Sequence, residues 1–169
     1  MRIVRNILLV ILALMLQTSW VPKAAVLGMA PDLIVMVIVY VGLTGGQIEG
    51  TVLGFLVGFL QDVYGPARLG SNALANSIIG FGAGYGKGGI IAEGVVIRSA
   101  MLFVAVLARD LLYFLCNAGW NVREMIFLFF RYSPGTAVYT ALVGAFLSVV
   151  LEIFGERGTR SDVGRARSE

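Results

Sequence analysis

Long apolar runs recur along this chain, and they constrain its fold more than any other feature. A helix needs about 20 consecutive apolar residues to cross the roughly 30 Å of hydrocarbon in a bilayer. The chain has 169 residues, of which 58% are hydrophobic and only 14% are charged, whereas soluble domains carry about 25% charged residues. No polar stretch outside the apolar runs is long enough to bury a core. The sequence therefore predicts an all-α, polytopic membrane protein.

The apolar runs predict six membrane-spanning helices in one bundle. Arg2 and Arg5 precede the first run, which we interpret as a retained anchor because no small-residue cleavage site follows it. Pro31 suits the first turn of the second helix, where its missing N–H costs nothing. The predicted spans are residues 3–20, 31–43, 46–64, 71–85, 92–118 and 134–154. Residues 1–155 are thus expected to form the transmembrane domain, and residues 156–169 a basic, disordered tail.

The orientation follows from the basic residues beside the spans, which are more frequent on the cytoplasmic side. With six spans and a cytoplasmic amino terminus, the inner side carries Arg2, Arg5, Lys87, Arg157, Arg160, Arg165 and Arg167. The outer side then carries the smaller group of Lys23, Arg68, Arg123 and Arg131. Aromatic residues that favour a membrane interface also fall on the outer side, at Trp20, Tyr64, Trp120 and Tyr132. Both termini are therefore predicted to be cytoplasmic.

Small residues recur every four positions in the third and fourth spans. The first row is Gly42, Gly46, Gly50, Gly54 and Gly58, and its next member is Asp62. The second row is Asn72, Asn76, Gly80, Gly84 and Gly88. Small residues one turn apart let two membrane helices approach closely. The two rows predict an antiparallel hairpin with these faces in contact, although contact with another protein is the alternative.

The polar members of these rows raise two hypotheses for Asp62. Asn72 and Asn76 begin the second row at the same end of the hairpin, so both could donate hydrogen bonds to the Asp62 carboxylate. In the first hypothesis Asp62 caps or braces the turn. In the second it is a partner-binding or ion-coupling carboxylate, because ionisable residues at membrane depth are often functional.

Arg109 and Asp110 lie deep in the fifth span. As direct neighbours their side chains leave a helix about 100° apart, so they are not an ideal pair for each other. Each is therefore expected to need a partner on another helix, a partner on another subunit, or water. Asp62 is one candidate partner for Arg109. If the third and fifth spans end at the same depth in the membrane, however, Arg109 lies about 10 Å deeper than Asp62.

An aromatic segment follows the fifth span. Phe127, Phe129 and Phe130 lie between Arg123 and Arg131, as expected for a stretch in the membrane interface. The segment is either a membrane-surface loop or a docking strip for the membrane anchor of a partner. The sequence leaves both open.

Several kinds of chemistry find no support in the residues. The chain has no histidine and a single cysteine, Cys116, which removes imidazole acid–base chemistry and His or Cys metal clusters. No carboxylate pair at catalytic spacing and no phosphate-cradling loop is present. We therefore predict no catalytic site, no metal and no cofactor. The net charge of +3 suits anionic lipid rather than nucleic acid, because the basic residues flank the spans.

The residues from 31 to 84 resemble the bacterial rod-shape-determining protein MreD family. The likeness rests on Pro31, on the G-F-x-x-G-x-x-x-D run of Gly54, Phe55, Gly58 and Asp62, and on Gly65, Leu69, Gly70 and Asp110. It implies a six-helix fold similar to the substrate-binding components of energy-coupling-factor transporters. It also implies a non-enzymatic protein of the bacterial cytoplasmic membrane that binds MreC. Through MreC it would help couple MreB filaments to the RodA glycosyltransferase and a class B penicillin-binding protein.

Three functions are compared on these grounds. The scaffold of the cell-elongation machinery is the leading hypothesis, and it predicts co-purification of a single-span partner. A small-molecule-binding transporter component is the alternative, which would need a cavity lined by polar groups. A membrane enzyme has the least support, since no catalytic constellation is present.

Overall fold

The computed structural model describes residues 2–25, 28–65, 68–87, 94–117 and 122–165. Within these ranges the regular structure is helical and no strand is formed, so the predicted all-α class is confirmed. The helices are α1 (Arg2–Ser19), α2 (Leu33–Gly45), α3 (Gln47–Tyr64), α4 (Ser71–Tyr85), α5 (Val95–Asn117) and α6 (Val122–Arg165), with a short 3₁₀ turn at Val21–Lys23.

Helix α2 forms the centre of the bundle. Val35 and Ile38 are fully buried and Val39 is nearly so, because this helix is apolar on every side and packs against α1, α3, α4 and α5. A helix that is apolar all round is stable only when it is surrounded. Around α2 the core is completed by Val57 of α3, Ile79 and Ala83 of α4, Leu102 and Val106 of α5, and Ala137 of α6.

Helices α3 and α4 form an antiparallel hairpin with the most extensive contact in the bundle. Two glycines with positive φ delimit it. Gly46 separates α2 from α3 with φ of 98°, and Gly70 precedes α4 with φ of 97°. L-residues with a side chain rarely adopt this conformation, so glycine is needed at both ends.

Helix α6 packs mainly along α5 and touches α2. Its stretch Ile126–Val150 is long and apolar enough to cross a membrane, and only 22% of an apolar window of 18 residues within it is buried inside the protein. Two shorter apolar helical stretches, Val4–Ser19 and Leu33–Gly45, are also present within the described residues. Large apolar side chains are exposed on α1, α3, α4 and α6, which is the surface that lipid would cover.

The start of α2 differs from the prediction. Pro31 does not lie in the first turn, because the helix begins at Leu33 and Asp32 is its N-cap. The Asp32 carboxylate accepts hydrogen bonds from the backbone N–H groups of Ile34 and Val35, at 3.1 and 2.9 Å. Aspartate at an N-cap satisfies donors that have no partner within the helix, and this fixes the start two residues after the proline.

The largest difference concerns α6. The sixth helix was expected to begin at Pro134, but it begins at Val122 and contains Pro134 in its interior. A proline inside a helix removes one backbone hydrogen bond, yet membrane helices tolerate it when neighbouring groups compensate. The aromatic segment is therefore part of α6 rather than a surface loop. At its other end α6 continues to Arg165, beyond the position where a disordered tail was expected to begin.

The remaining boundaries lie close to the predicted ones. The fourth span, residues 71–85, coincides with α4, and the third begins one residue late because Gly46 belongs to the break before α3. Helix α5 lies within the predicted fifth span. Residues 92, 93 and 118 of that span, together with Gly88 and Trp120, lie outside the described residues.

Candidate functional site

Charged and amide side chains meet at one end of the bundle, where α2 and α4 begin. We call this group the polar cluster and define it as Asp32, Asp62, Asn72, Arg109 and Asp110. Its three aspartates and Asn72 are at most 8% exposed. Asp110 lies seven residues before the end of α5 at Asn117, which places it about 10 Å inside that helix end. These polar groups are therefore inside the helical bundle.

Asp62 reaches across the hairpin from the last turn of α3 to the first turn of α4. Its carboxylate accepts hydrogen bonds from the backbone N–H groups of Gly70, Asn72 and Ala73, each at 3.0 Å. The Asn72 side-chain amide donates a further bond at 2.9 Å. A carboxylate at a helix N-terminus satisfies unpaired donors and interacts favourably with the helix dipole. This is the capping geometry of the first hypothesis for Asp62.

Asn72 links Asp62 to Arg109. While its amide nitrogen donates to Asp62, its carbonyl oxygen Oδ1 accepts a bond from Nη2 of Arg109 at 2.7 Å. Arg109 thus reaches Asp62 through Asn72. This bridged arrangement replaces the direct pair that was one candidate from the sequence.

Arg109 also pairs with two carboxylates. Its Nη1 lies 3.1 Å from Oδ1 of Asp110 and 3.9 Å from Oδ2 of Asp32, and its guanidinium lies 5.2 Å from the ring centre of Tyr113. The expected partner for Arg109 on another helix is present in Asn72 of α4, but Arg109 also bonds directly to Asp110, which the sequence had not favoured as its pair. The 100° offset describes where the side chains leave the helix, but the long arginine side chain folds back to its neighbour.

Helix α6 meets the cluster through two buried hydroxyls. Thr140 is fully buried, and its Oγ1 accepts a hydrogen bond from the Asp32 backbone N–H at 2.9 Å. Ser133 is also fully buried and lies beside the Asp110 carboxylate, although not in the geometry of a hydrogen bond. The cluster therefore connects α2, α3, α4, α5 and α6.

Asn76 does not join the cluster. Its amide nitrogen donates to Oε1 of Gln61 at 2.8 Å, whereas the sequence suggested a bond to Asp62. Asn76 lies one helical turn beyond Asn72, about 6 Å further along α4. At that position the partner on α3 is a different residue.

The glycine rows lie where the helices touch. A Cβ on Gly54 or Gly58 would meet the α4 backbone at Asn76 or Asn72, and a Cβ on Gly80 would meet the α3 backbone at Gly50. Gly42 of α2 joins the same contact, since a Cβ there would lie 2.9 Å from the Gly80 carbonyl oxygen.

Two further members of the rows, Gly84 and Gly46, lie at the end of the hairpin where α3 begins and α4 ends. A Cβ on Gly84 would meet the backbone of Gln47. Gly46 lies between α2 and α3, where its positive φ is what requires glycine.

The three phenylalanines predicted to bind a partner do not share one environment. Phe127 is 62% and Phe130 is 71% exposed. Phe129 is half-buried and packs edge to face against the Phe130 ring at 5.5 Å. The uncovered aromatic surface is therefore formed by Phe127 and Phe130, with Ile126 beside them.

Reasoning from the sequence missed four residues of this region: Asp32, Gln61, Ser133 and Thr140. Asp32 carries a recognisable signal, because an aspartate directly before an apolar run is a typical N-cap. Gln61, Ser133 and Thr140 carry none, since their partners lie on other helices.

The contacts above define the class of protein. The side chains of the polar cluster bond to one another and to backbone groups of neighbouring helices, and the described residues include no group of three or more His, Cys, Asp or Glu side chains placed to hold a metal ion. With an apolar exterior and this interior, the chain is a small helical membrane protein whose charged groups serve to join helices.

The family follows from comparison with known proteins. Residues 1–156 match the family model described as rod shape-determining protein MreD, so this chain belongs to the MreD family of bacterial shape-determining membrane proteins. The resemblance noted from the sequence is confirmed. Neither the comparison with curated proteins nor that with solved structures gives a match for this chain. The similarity to energy-coupling-factor components therefore stays a prediction.

Proposed function

We propose that this protein is a non-enzymatic scaffold of the cell-elongation machinery in the bacterial cytoplasmic membrane. In this role it binds the membrane anchor of MreC and thereby helps couple MreB filaments to RodA and a class B penicillin-binding protein. It uses no cofactor and binds no nucleic acid. Membership of a rod-shape-determining family supports the general role. The finer partners follow from the resemblance of the sequence to that family.

One structural observation carries the proposal. The described charged groups inside the bundle are used to join five helices, whereas an aromatic surface at the start of α6 is left uncovered. A protein that acts by holding another helix needs a rigid body and an open surface, and it needs no reactive group. Aromatic side chains, phenylalanine among them, are also enriched in protein–protein interfaces.

The polar cluster supports this role by fixing the position of α6. The bonds from Arg109 to Asn72 and from the Asp32 backbone to Thr140 tie the α5–α6 pair to α2 and α4. We propose that these bonds, together with the glycine contacts of Gly42, Gly50 and Gly80, hold the docking surface in one orientation. Preorganisation of this kind raises affinity because less conformational freedom is lost on binding.

We further propose that all six helices enter the membrane, with both termini in the cytoplasm. The ends of α2 and α4 that lie opposite the polar cluster carry Lys87, whose Nζ donates to the Gly45 carbonyl oxygen at 2.7 Å. Arg5 of α1 lies at the same end, over the Tyr40 ring. Together with Arg2 and the arginines after residue 156 they form the larger basic group of the sequence, which supports placement of this end at the inner leaflet.

The test is capture of the partner from native membranes in mild detergent. We expect wild-type protein to co-purify an MreC-like protein, and the Phe127→Ser, Phe129→Ser and Phe130→Ser triple variant to lose most of it. The control replaces Phe55, Phe59 and Phe81, which are 50%, 42% and 45% exposed on α3 and α4. Equal capture by both triple variants would show that the partner binds elsewhere.

The cellular role needs a separate test. Loss of the protein from its own rod-shaped bacterium is expected to give rounded, widened cells, because wall synthesis along the side of the cell would no longer be organised. Normal cell shape in a strain that has no substitute for this protein would contradict the scaffold role.

A further inference from the structure

The first turns of α6 present a face on which two arginines flank apolar residues. Arg123, Ile126, Phe127, Phe130 and Arg131 follow the spacing i, i+3, i+4, i+7 and i+8, which places them on one side of a helix. We call them the arginine-flanked face. All five are exposed, and they line a shallow groove of about 570 Å³.

The described part of this chain does not cover or neutralise that face. Ser133 and Ala137, seven residues after Ile126 and Phe130, lie on the same side of α6, so this side is exposed in the first turns of the helix and enters the bundle further along. The described contact of the Arg131 guanidinium is the ring of the adjacent Tyr132, at 5.7 Å. Among the described ion pairs none involves Arg123 or Arg131; those pairs belong to Arg109. Two cations are thus left beside an apolar groove.

The spacing of the arginines indicates what kind of group can neutralise them. They lie eight residues apart, so they are separated by about 12 Å along a continuous helix. Arg131 falls within the membrane-crossing stretch Ile126–Val150, while Arg123 precedes it. The headgroup regions add about 5–7 Å on each side of the hydrocarbon, which is less than the separation of the two arginines, so in an upright helix headgroups that meet Arg123 reach Arg131 only if its side chain bends towards them. A second helix lying alongside can present carboxylates at both depths.

We infer that the arginine-flanked face binds a transmembrane helix of a partner protein, and that this helix carries two carboxylates about two turns apart with apolar residues between them. Phe127 and Phe130 pack against the apolar part, and Arg123 and Arg131 pair with the carboxylates. A charged residue in a membrane is normally neutralised by a partner, so the pairing selects the correct helix and fixes its depth. This inference rests on the proposed function, since it specifies the chemistry of the helix that the scaffold holds.

A designed peptide tests the chemistry without knowledge of the natural partner. The probe is a leucine-rich transmembrane peptide with glutamates eight positions apart on one face, and its control has glutamine at both positions. Binding to the purified full-length protein is measured by fluorescence energy transfer in nanodiscs of zwitterionic lipid. We expect wild-type protein to bind the glutamate peptide at least tenfold more tightly than the glutamine peptide.

Variants then assign that preference to the two arginines. Arg123→Gln with Arg131→Gln is expected to remove the preference for glutamate. The matched control is Arg5→Gln with Lys23→Gln, which removes the same charge from exposed sites outside the face and should keep the preference. Equal binding of both peptides to wild-type protein, or binding of neither, overturns the inference. So does a preference that survives in the arginine variant.

Two further measurements separate this inference from its alternatives. If the arginine variant loses bound anionic phospholipid in native mass spectrometry but keeps its peptide preference, the face is a lipid site and the inference fails. Capture of the native partner shows whether a failure concerns this inference alone or also the proposed function. If the phenylalanine variant loses that partner while the arginine variant keeps it in full, the docking site stands and its carboxylate chemistry is wrong.

Discussion

At the scale of single residues, the Asp62 carboxylate accepts more hydrogen bonds than a neutral side chain of its size could accept. Four N–H groups donate to its two oxygens, three of them from the first turn of α4. Asparagine keeps one acceptor oxygen, whereas leucine keeps none. Since each buried donor left without a partner costs about 1–3 kcal/mol, we expect Asp62→Asn to lower the free energy of unfolding by about 2 kcal/mol and Asp62→Leu by more.

Unfolding of the purified variants in detergent, followed by circular dichroism, checks this order. Glu49→Gln is the control, because Glu49 is exposed in the first turn of α3 and its neutralisation should change stability little. If Asp62→Asn and Asp62→Leu lose partner capture equally while both remain folded, the negative charge itself is needed. That result would favour the second hypothesis, in which Asp62 binds a partner or an ion.

Arg109 is the only cation within the polar cluster as defined, and its removal leaves the Asp110 and Asp32 carboxylates near each other. Removing one partner of a buried ion pair costs about 3–5 kcal/mol. We expect Arg109→Leu to destabilise the protein by this amount, and the Arg109→Leu, Asp110→Leu double variant to be more stable than the single one. Asp32 keeps its two N-cap bonds in both variants. Unfolding measurements on the four proteins of this double-mutant cycle give the coupling, and additive effects would rule it out.

The contacts of this cluster could be predicted from the sequence only where the two partners are close together along the chain. Asp62 and Asn72 were expected to interact because they lie on either side of one short turn. Thr140 could not be found in this way, since its bond to Asp32 joins residues 108 positions apart. Such a bond depends on how α6 lies against α2, and local patterns carry no information on that.

At the scale of helices, the α3–α4 hairpin is stabilised by backbones that touch. We expect Gly54→Leu and Gly58→Leu each to lower the amount of folded protein strongly, because an added side chain would meet the α4 backbone at Asn76 or Asn72. Side chains forced into a packed contact typically cost about 1–3 kcal/mol, and the backbone here has little freedom to move.

Gly82→Leu is a matched control for this prediction. Gly82 lies on the same hairpin, in α4, but a Cβ there meets nothing within 4 Å. Gly82→Leu changes helix propensity and hydrophobicity in the same direction as Gly54→Leu and Gly58→Leu. Its side chain, however, does not enter a contact between helices. The folded fraction is measured by fluorescence-detected size exclusion. If all three leucine variants remain folded like the wild type, the contact between α3 and α4 is looser than described.

Helix boundaries were predictable where local chemistry decides them. The ends of α4 agree with the sequence because Gly70 and Gly86 flank an apolar stretch. The start of α6 was missed because Pro134 looked like a first-turn proline, whereas the apolar sequence before it continues the same helix. Whether a proline begins a helix or lies within it depends on the neighbours that compensate for its missing N–H, and these are tertiary contacts.

At the scale of the whole molecule, basic and exposed aromatic side chains lie at both ends of the bundle. Lys87 and Arg5 lie at one end. Trp20 and Tyr64 are 71% and 88% exposed near the other, where the polar cluster lies. Basic side chains favour the cytoplasmic face and aromatic side chains favour membrane interfaces. The proposed orientation therefore rests on the count of basic residues along the sequence, and two exposed lysines give a direct way to test it.

Lys23 and Lys87 report on these two ends, because both side chains are exposed and they flank different helix ends. Cys116 is the single cysteine of the chain, so Cys116→Ala gives a background without thiols in which Lys23→Cys or Lys87→Cys can be labelled alone. We expect a membrane-impermeant maleimide to label Lys23→Cys in sealed right-side-out vesicles, and to label Lys87→Cys only after the vesicles are opened. The reverse pattern would invert the topology and place the polar cluster at the inner leaflet. Labelling of both variants in sealed vesicles would mean that α2, α3 and α4 do not together carry the chain across the membrane an odd number of times.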